Sequence, residues 1–120
     1  KPNRMTAYNL SRLMSDVYHD PLLVGIMNQF ETTIFDIKHQ TIATVRQSNE
    51  LYYDEAYKDK VIIGKTGRTN LAGENLAFIT KGGDTYDYVT VVFLSSGDRA
   101  TDAKKIVDWL ATPRPLLAKN

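Results

Sequence analysis

The 120-residue sequence contains no cysteine, which excludes disulfide bridges, thiol catalysis and cysteine-ligated zinc sites. Its two histidines, His19 and His39, have no partner at the spacing of metal ligands and lie in turn-like segments. We therefore interpret both histidines as solvated side chains, and we predict neither a metal site nor a cofactor.

A concentrated patch of one charge sign is also missing. The 15 basic and 14 acidic residues are interspersed and leave a net charge of +1. Nucleic-acid binding relies on clustered Lys and Arg, so the composition argues against a nucleic-acid partner. No apolar run is long enough to span a bilayer, and no signal-peptide pattern opens the chain.

What the sequence does contain is enough apolar material for one core, since 42% of its residues are hydrophobic and 10% are aromatic. We predict a single segment, residues 1–120, without an internal domain boundary. Residues 5–60 form a helical part with a hairpin, residues 61–111 a sheet and a final helix, and residues 112–120 a loose tail.

The N-terminal part changes its hydrophobic period along the chain. Helical spacing predicts a helix over residues 6–19 that Thr6 caps, and Pro21 can open a second helix that ends near residue 28. Residues 33–37 and 41–45 are rich in β-branched side chains, and the polar link between them has hairpin length. A polar, tyrosine-rich stretch follows, with a helical turn predicted after Asn49.

The C-terminal part predicts three strands, 61–69, 75–80 and 86–95, followed by a helix over residues 101–111 that begins at Thr101 or Asp102. Residues 89–94 are almost wholly apolar, so the third strand should be central or covered on both faces. Short turns between consecutive strands indicate an antiparallel sheet with the last helix on one face. The predicted fold class is α+β.

The stretch from Val61 to Thr69 contains the strongest candidate for a binding site. Three apolar residues predict a buried strand that emerges at Gly64. It then presents a cation at Lys65, a hydroxyl at Thr66 and no side chain at Gly67, which suits an anionic, peptide-like ligand against a strand edge. Without any further resemblance, the better interpretation of Lys65 is a solvated strand-end lysine, and that of Gly67 is a turn residue.

The residues around this triplet resemble the third motif of penicillin-binding proteins, in the form used by serine-type D-alanyl-D-alanine carboxypeptidases of low molecular mass. The match comprises Gly64-Lys-Thr-Gly67, Thr69 and Ala72-Gly73. A class A β-lactamase carries a similar triplet, but the continuation through Thr69 and Ala72-Gly73 is less like that group.

The resemblance extends over nearly the whole chain. The further segments that resemble this family are Met5–Leu10, Gln47–Asn49 with Leu51, and Arg99 with Asp102, Ala103 and Trp109. The resemblance implies a partial β-lactamase/transpeptidase-like fold. We interpret Trp109, Tyr52 and Tyr53 as packing residues.

The resemblance also implies roles for individual residues. Lys65 would supply positive charge and assist proton movement, and the backbone N–H of Arg68 would donate to the developing oxyanion. The substrate-binding residues would be Thr66, Gly67, Thr69 and Arg99, with Thr66 and Arg99 facing the terminal carboxylate and Gly67 allowing close backbone approach. An arginine before a helix is also commonly a surface residue, so that alternative stays open for Arg99.

Two family motifs are absent from the sequence. No serine has lysine three residues later, and no Ser-x-Asn or Tyr-x-Asn triplet occurs. In the family both motifs lie upstream, so we expect this segment to be the C-terminal part of a catalytic domain and to carry no nucleophile. The opening at Lys1 rather than at a methionine fits a cut in a longer protein.

The resemblance therefore predicts part of an extracytoplasmic enzyme, periplasmic or at the cell surface, that matures peptidoglycan. The intact parent would hydrolyse stem peptides ending in D-Ala-D-Ala through an acyl-serine intermediate and would react with β-lactams, whereas this segment alone would be inactive. Uncovered apolar surface and a bare strand edge would favour self-association. The competing hypothesis is a noncatalytic peptide- or carboxylate-binding module with the same strand.

Overall fold

A computed structural model describes residues 4–83, 86–95 and 97–112 of the chain. The predicted α+β class is confirmed, with an antiparallel hairpin, an antiparallel three-stranded sheet and helices at both ends of the chain. The elements in order are α1 (Ala7–Tyr18), α2 (Pro21–Met27), β1 (Glu31–Phe35), β2 (Thr41–Arg46), a 3₁₀ turn (Glu50–Tyr53), β3 (Val61–Thr69), β4 (Gly73–Gly82), β5 (Tyr86–Ser95) and α3 (Arg99–Ala111).

The helix starts follow from side-chain caps. Thr6 accepts a hydrogen bond from the Asn9 N–H at 3.1 Å, as predicted, and Asp20 caps α2. The predicted start of α3 was wrong, because its cap is Asp98 rather than Thr101 or Asp102. The Asp98 carboxylate accepts from the Ala100 and Thr101 N–H groups and from the Thr101 hydroxyl, so the helix begins at Arg99.

The hairpin is present, but its first strand ends two residues earlier than predicted. The Asp36 carboxylate accepts from the N–H groups of Lys38 and Gln40, both at 2.8 Å, which makes Asp36 part of the turn. Every residue of β1 and β2 is exposed. The base of the hairpin is tied to the body by Gln47, whose N–H donates to the Phe30 carbonyl and whose side chain donates to the Met27 carbonyl.

The main sheet has the order β3-β4-β5, so β4 is its central strand. Five consecutive residues of β4, Leu76 to Thr80, are buried. The prediction that β5 is a central strand is wrong, because β5 lies at an edge of the sheet. The alternative prediction, that β5 is covered on both faces, is confirmed, since β5 contacts both α1 and α3. Gly83 follows β4 with a φ of +64°, which agrees with the predicted turn as far as the chain is described.

Two apolar layers cover the faces of this sheet because side chains alternate along each strand. The layer under α3 consists of Leu51, Tyr52, Val61, Leu76, Phe78, Ala103 and Val107. The layer under α1 consists of Met14, Ile63, Ala77 and Ile79.

Some residues predicted to pack are exposed. Tyr52 is buried, but Trp109 is 60% exposed and Tyr53 lies at the surface with its ring 4.9 Å from that of Phe30. The predicted tail from residue 113 onward lies outside the described residues. Within the described ranges, none of the helices has the length and hydropathy needed to cross a membrane.

Candidate functional site

The site is built on β3, which is anchored at one end and open at the other. Val61 and Ile63 are buried in opposite layers of the core. Beyond them Lys65, Arg68 and Thr69 are exposed, and Thr66 and Gly67 are half-buried, so the Lys-Thr-Gly triplet begins where the strand leaves the core. The sequence predicted that the strand emerges at Gly64. The structure places this point one residue later, because Gly64 is buried and Lys65 is exposed.

Lys65 lies beside Ala77 of β4, on the face of the sheet that α1 covers. Its ammonium donates to the Thr66 carbonyl at 2.6 Å. Among the ion pairs of the described residues, none involves Lys65. The positive charge of Lys65 is therefore not neutralised by a neighbouring carboxylate in the described part of the chain.

A hollow of about 390 Å³ opens next to Lys65, between the start of α1 and the ends of the three strands. It is lined by Met5, Thr6, Ala7, Leu10, Lys65, Thr66, Gly67, Asn75, Leu76, Ala77, Val92, Phe93 and Leu94. Its walls are mainly apolar, with Lys65 as the one ionisable group among these lining residues, and no serine is among them. Such a hollow suits an anionic ligand that carries apolar groups.

Thr66 reaches this hollow, but its hydroxyl is engaged elsewhere. Thr66 lies opposite Leu76, on the α3 face of the sheet, and its Oγ1 is 2.6 Å from the Ser48 Oγ. A hydroxyl has one donor and two acceptor positions, so Thr66 can still donate to a ligand when Ser48 donates to it. Lys65 and Thr66 thus border one hollow from opposite faces of the strand.

The two glycines that flank the Lys-Thr pair differ in their surroundings. A Cβ built on Gly64 would lie 2.5 Å from the Asn49 Nδ2 and 3.4 Å from the Phe78 Cβ, so the chain's own packing requires glycine there. A Cβ on Gly67 would meet only the Asn75 Cβ, at an ordinary 3.7 Å. Internal packing therefore does not explain the glycine at position 67, whereas close approach of a ligand would.

A covering segment, residues 49–53, precedes β3 along the chain and packs against the buried half of that strand. The Tyr52 hydroxyl donates to the Ile62 carbonyl at 3.1 Å, and burial raises the pKa of Tyr52 to about 12. Asn49 is fully buried, and its Oδ1 accepts from the Leu51 N–H at 3.2 Å. The Asn49 Nδ2, which faces Gly64, finds no hydrogen-bond partner among the residues that the structure describes.

Arg68 and Thr69 lie where β3 turns into β4. The Arg68 guanidinium is 3.6 Å from the Glu74 carboxylate, and the Thr69 hydroxyl accepts from the Ala72 N–H at 2.9 Å. Thr69 therefore shapes the turn of this chain. The predicted role of the Arg68 backbone N–H as an oxyanion donor stays a prediction, as does ligand binding by Thr69.

The structure does not bring Arg99 into the hollow. Its guanidinium donates two hydrogen bonds to Glu50, at 3.1 and 2.5 Å, and its side chain is only 12% exposed. The bond to Glu50 is the main cause that raises the pKa of Arg99 above its ordinary value. Contact of Arg99 with a ligand carboxylate stays a prediction and requires the pair with Glu50 to open.

Sequence reasoning missed Ser48 and Glu50 as neighbours of predicted site residues. Both lie in the segment whose Gln47, Ser48 and Asn49 carried the resemblance, but no pattern in the sequence relates them to Thr66 and Arg99. The described ranges contain no cluster of His, Asp and Glu that could hold a metal ion. Comparison with protein-family models and with curated proteins finds no match to this chain.

Proposed function

We propose that this chain is the C-terminal part of the catalytic domain of a serine-type D-Ala-D-Ala carboxypeptidase. The observation that carries the proposal is the open end of β3, where Lys65, without a carboxylate partner among the described residues, borders an apolar hollow of about 390 Å³. The spare room at Gly67 supports it, because a ligand strand can approach the backbone there.

In this proposal the chain contributes one wall of the active site. Lys65 attracts the anionic end of a stem peptide and stabilises negative charge during acylation, and Thr66 donates its hydroxyl proton to the terminal carboxylate. The nucleophilic serine and its lysine come from residues outside this chain. The substrate would lie along the exposed end of β3 as an added strand.

A labelled penicillin tests the proposal in the parent protein and in the chain alone. We expect the parent to be acylated stoichiometrically, and its Lys65→Ala variant to be acylated about a hundredfold more slowly, because one preorganised electrostatic contact is lost. Lys38→Ala, at the exposed turn of the hairpin, is the matched control and should react normally.

The chain alone should not be labelled. Stoichiometric, serine-dependent labelling of the 120 residues by themselves would contradict the assignment to part of a domain. A parent protein that lacks Ser-x-x-Lys upstream and takes no label would contradict the assignment to an enzyme.

A noncatalytic carboxylate-binding module is the second candidate, because Lys65 beside a mainly apolar hollow suits a carboxylate ligand whether or not a nucleophile lies near it. The two candidates differ when a D-Ala-D-Ala peptide is titrated into the isolated chain. A binding module should bind measurably and lose affinity with Lys65→Ala but keep it with Lys38→Ala. One wall of a larger active site should bind weakly or not at all.

A further inference from the structure

Ser48 and Thr66 form a pair of hydroxyl groups at the open end of β3. The Ser48 Oγ and the Thr66 Oγ1 are 2.6 Å apart, although 18 positions separate the two residues in the chain. Ser48 is exposed and Thr66 is half-buried, so the pair lies at the surface. A hydrogen bond that water can replace contributes little to the stability of a fold. The contact therefore matters chiefly for the direction in which the Thr66 proton points.

Ser48 is held between two fixed neighbours. On one side, the Gln47 carbonyl accepts from the Tyr53 hydroxyl at 2.6 Å, and the Gln47 side chain donates to the Met27 carbonyl at 3.0 Å. The Ser48 N–H itself donates to the Gln47 Oε1 at 3.0 Å. On the other side, Asn49 is fully buried. The backbone that presents the Ser48 hydroxyl is therefore preorganised, as a residue that positions another side chain requires.

Two arrangements of the protons are open to the hydroxyl pair, since each hydroxyl has one donor and two acceptor positions. When Thr66 donates to Ser48, the only proton of the Thr66 hydroxyl is used within the chain. When Ser48 donates to Thr66, that proton is free for a ligand. An ionised carboxylate only accepts hydrogen bonds, so it selects the second arrangement. The bond from Ser48 then polarises the Thr66 hydroxyl and makes it a stronger donor.

The neighbouring contact between Glu50 and Arg99 works in the opposite direction. Arg99 donates two hydrogen bonds to Glu50, so its charge is already paired with a carboxylate of the chain. A ligand carboxylate would have to displace Glu50 to reach Arg99, whereas at Thr66 it only has to turn a hydroxyl group. Of the two side chains predicted to face the ligand carboxylate, Thr66 is the one that the structure holds ready.

We propose that Ser48 is a positioning residue for ligand binding. It donates its hydroxyl proton to Thr66 and thereby directs the Thr66 proton to the carboxylate of the ligand. This role rests on the proposed function, because it requires a carboxylate ligand at Thr66. Ser48 acts through Thr66 and on the carboxylate end of the ligand, away from the carbonyl that reacts. It should therefore affect binding more than chemistry.

Acylation of the parent protein by a labelled penicillin, followed over a range of penicillin concentrations, separates the two effects. We expect Ser48→Ala to raise the dissociation constant of the noncovalent complex about fivefold, as for the loss of one hydrogen bond, and to leave the maximal rate of acylation nearly unchanged. Ser48→Thr keeps the hydroxyl and should restore binding. Thr44→Ala, which removes a hydroxyl from an exposed strand of the hairpin, is the matched control and should bind normally.

A double-mutant cycle tests whether Ser48 acts through Thr66. In the Thr66→Val background, Ser48→Ala should cause no further loss of binding, because the side chain that Ser48 orients is already gone. Urea unfolding of the parent protein and of Ser48→Ala should give the same midpoint, since Ser48 is exposed. This measurement separates a loss of binding from a loss of fold.

The outcomes distinguish the role of Ser48 from the proposed function. A parent protein that takes no label contradicts the proposed function and the role of Ser48 together. A parent protein that is acylated, but whose dissociation constant is the same with Ser48→Ala, overturns the role of Ser48 alone. The same holds if Ser48→Thr fails to restore binding, or if Ser48→Ala weakens binding equally with and without the Thr66 hydroxyl.

Discussion

The two edges of the three-stranded sheet are built in opposite ways. Strand β3 has two glycines and two cations, and a covering segment follows its buried half. Strand β5 has neither glycine nor cation, and its residues 88–93 stay half-buried along an edge that no described strand covers. An edge with charge, glycine and a neighbouring hollow can select a small anionic ligand, whereas an apolar, uninterrupted edge suits a second strand.

The same contrast recurs within β3 on a smaller scale. Gly64 is enclosed by Asn49 and Phe78, and Gly67, three residues later, meets only the edge of Asn75. Both glycines belong to the stretch that resembles one motif, yet only the first is explained by packing within the chain. The boundary between the structural half of β3 and its open half therefore falls at the Lys-Thr pair.

The largest effect is expected from filling the enclosed glycine. Gly64→Ala should lower the free energy of unfolding by roughly 1 to 3 kcal/mol, because the added methyl overlaps Asn49. Asn49 cannot swing away freely, since it is fully buried and held by the Leu51 N–H. Urea unfolding measures the loss. Gly25→Ala is the matched control, as nothing lies within 4 Å of its Cβ, and it should be neutral or stabilising.

A double-mutant cycle identifies the cause of that loss. In the Asn49→Ala background, Gly64→Ala should cost much less than in the parent chain. An equal cost in both backgrounds would mean that backbone conformation, rather than contact with Asn49, demands glycine at position 64.

A pH-dependent effect of about 2 kcal/mol is expected from Tyr52, which links the covering segment to β3. Burial raises its pKa from 10.0 to about 12, so the folded state retains the neutral phenol while the unfolded chain ionises. The stabilisation is fully present below pH 10 and is lost as the pH rises through about 12. Over this interval the unfolding free energy of the parent chain should fall from above that of Tyr52→Phe to below it, because the loss exceeds the contribution of the hydrogen bond.

Below pH 10, Tyr52→Phe should be less stable by about 1 kcal/mol, the contribution of its hydrogen bond to the Ile62 carbonyl. Tyr53→Phe, the same change at an exposed tyrosine of the same turn, serves as the control. A difference between the parent chain and Tyr52→Phe that stays constant to high pH would contradict the burial of the Tyr52 phenol.

The smallest effect on stability is expected from the open glycine. Gly67→Ala should change the unfolding free energy by less than about 0.5 kcal/mol, because its Cβ meets only an ordinary contact. The proposed function further predicts that the same change in the parent protein slows acylation by a labelled penicillin, because it obstructs a ligand at the strand edge. A large stability loss without an effect on acylation would reverse the roles given to Gly64 and Gly67.

Local patterns predicted most of the elements. Thr6 and Pro21 marked helix starts correctly because capping and the fixed φ of proline act within a few residues. The start of α3 was missed because Asp98, Thr101 and Asp102 can all cap a helix, and the choice of Asp98 depends on which hydrogen bonds form. The first strand of the hairpin was misplaced because Asp36 has side-chain bonds in the turn, which strand periodicity does not report.

For the candidate site, the sequence identified the triplet but not its neighbours. Lys65 and Thr66 could be named from residue type and resemblance. The contacts of Thr66 with Ser48 and of Arg99 with Glu50 join positions far apart in the chain, so local pattern could not reveal them. The sequence likewise did not predict that Trp109 is exposed, because a side chain beside the apolar face of a helix can point to the core or to the solvent.

The amino-acid sequence by itself determined the α+β class, the order of the elements and the position of a lysine, a hydroxyl and a glycine at the end of one strand. These features depend on hydrophobic period, capping and turn residues, which act over short distances along the chain. Only the tertiary structure decided which glycine is enclosed, which cation lacks a carboxylate partner among the described residues, and which edge of the sheet is left open. Those properties depend on contacts between distant segments, and periodicity carries no information about them.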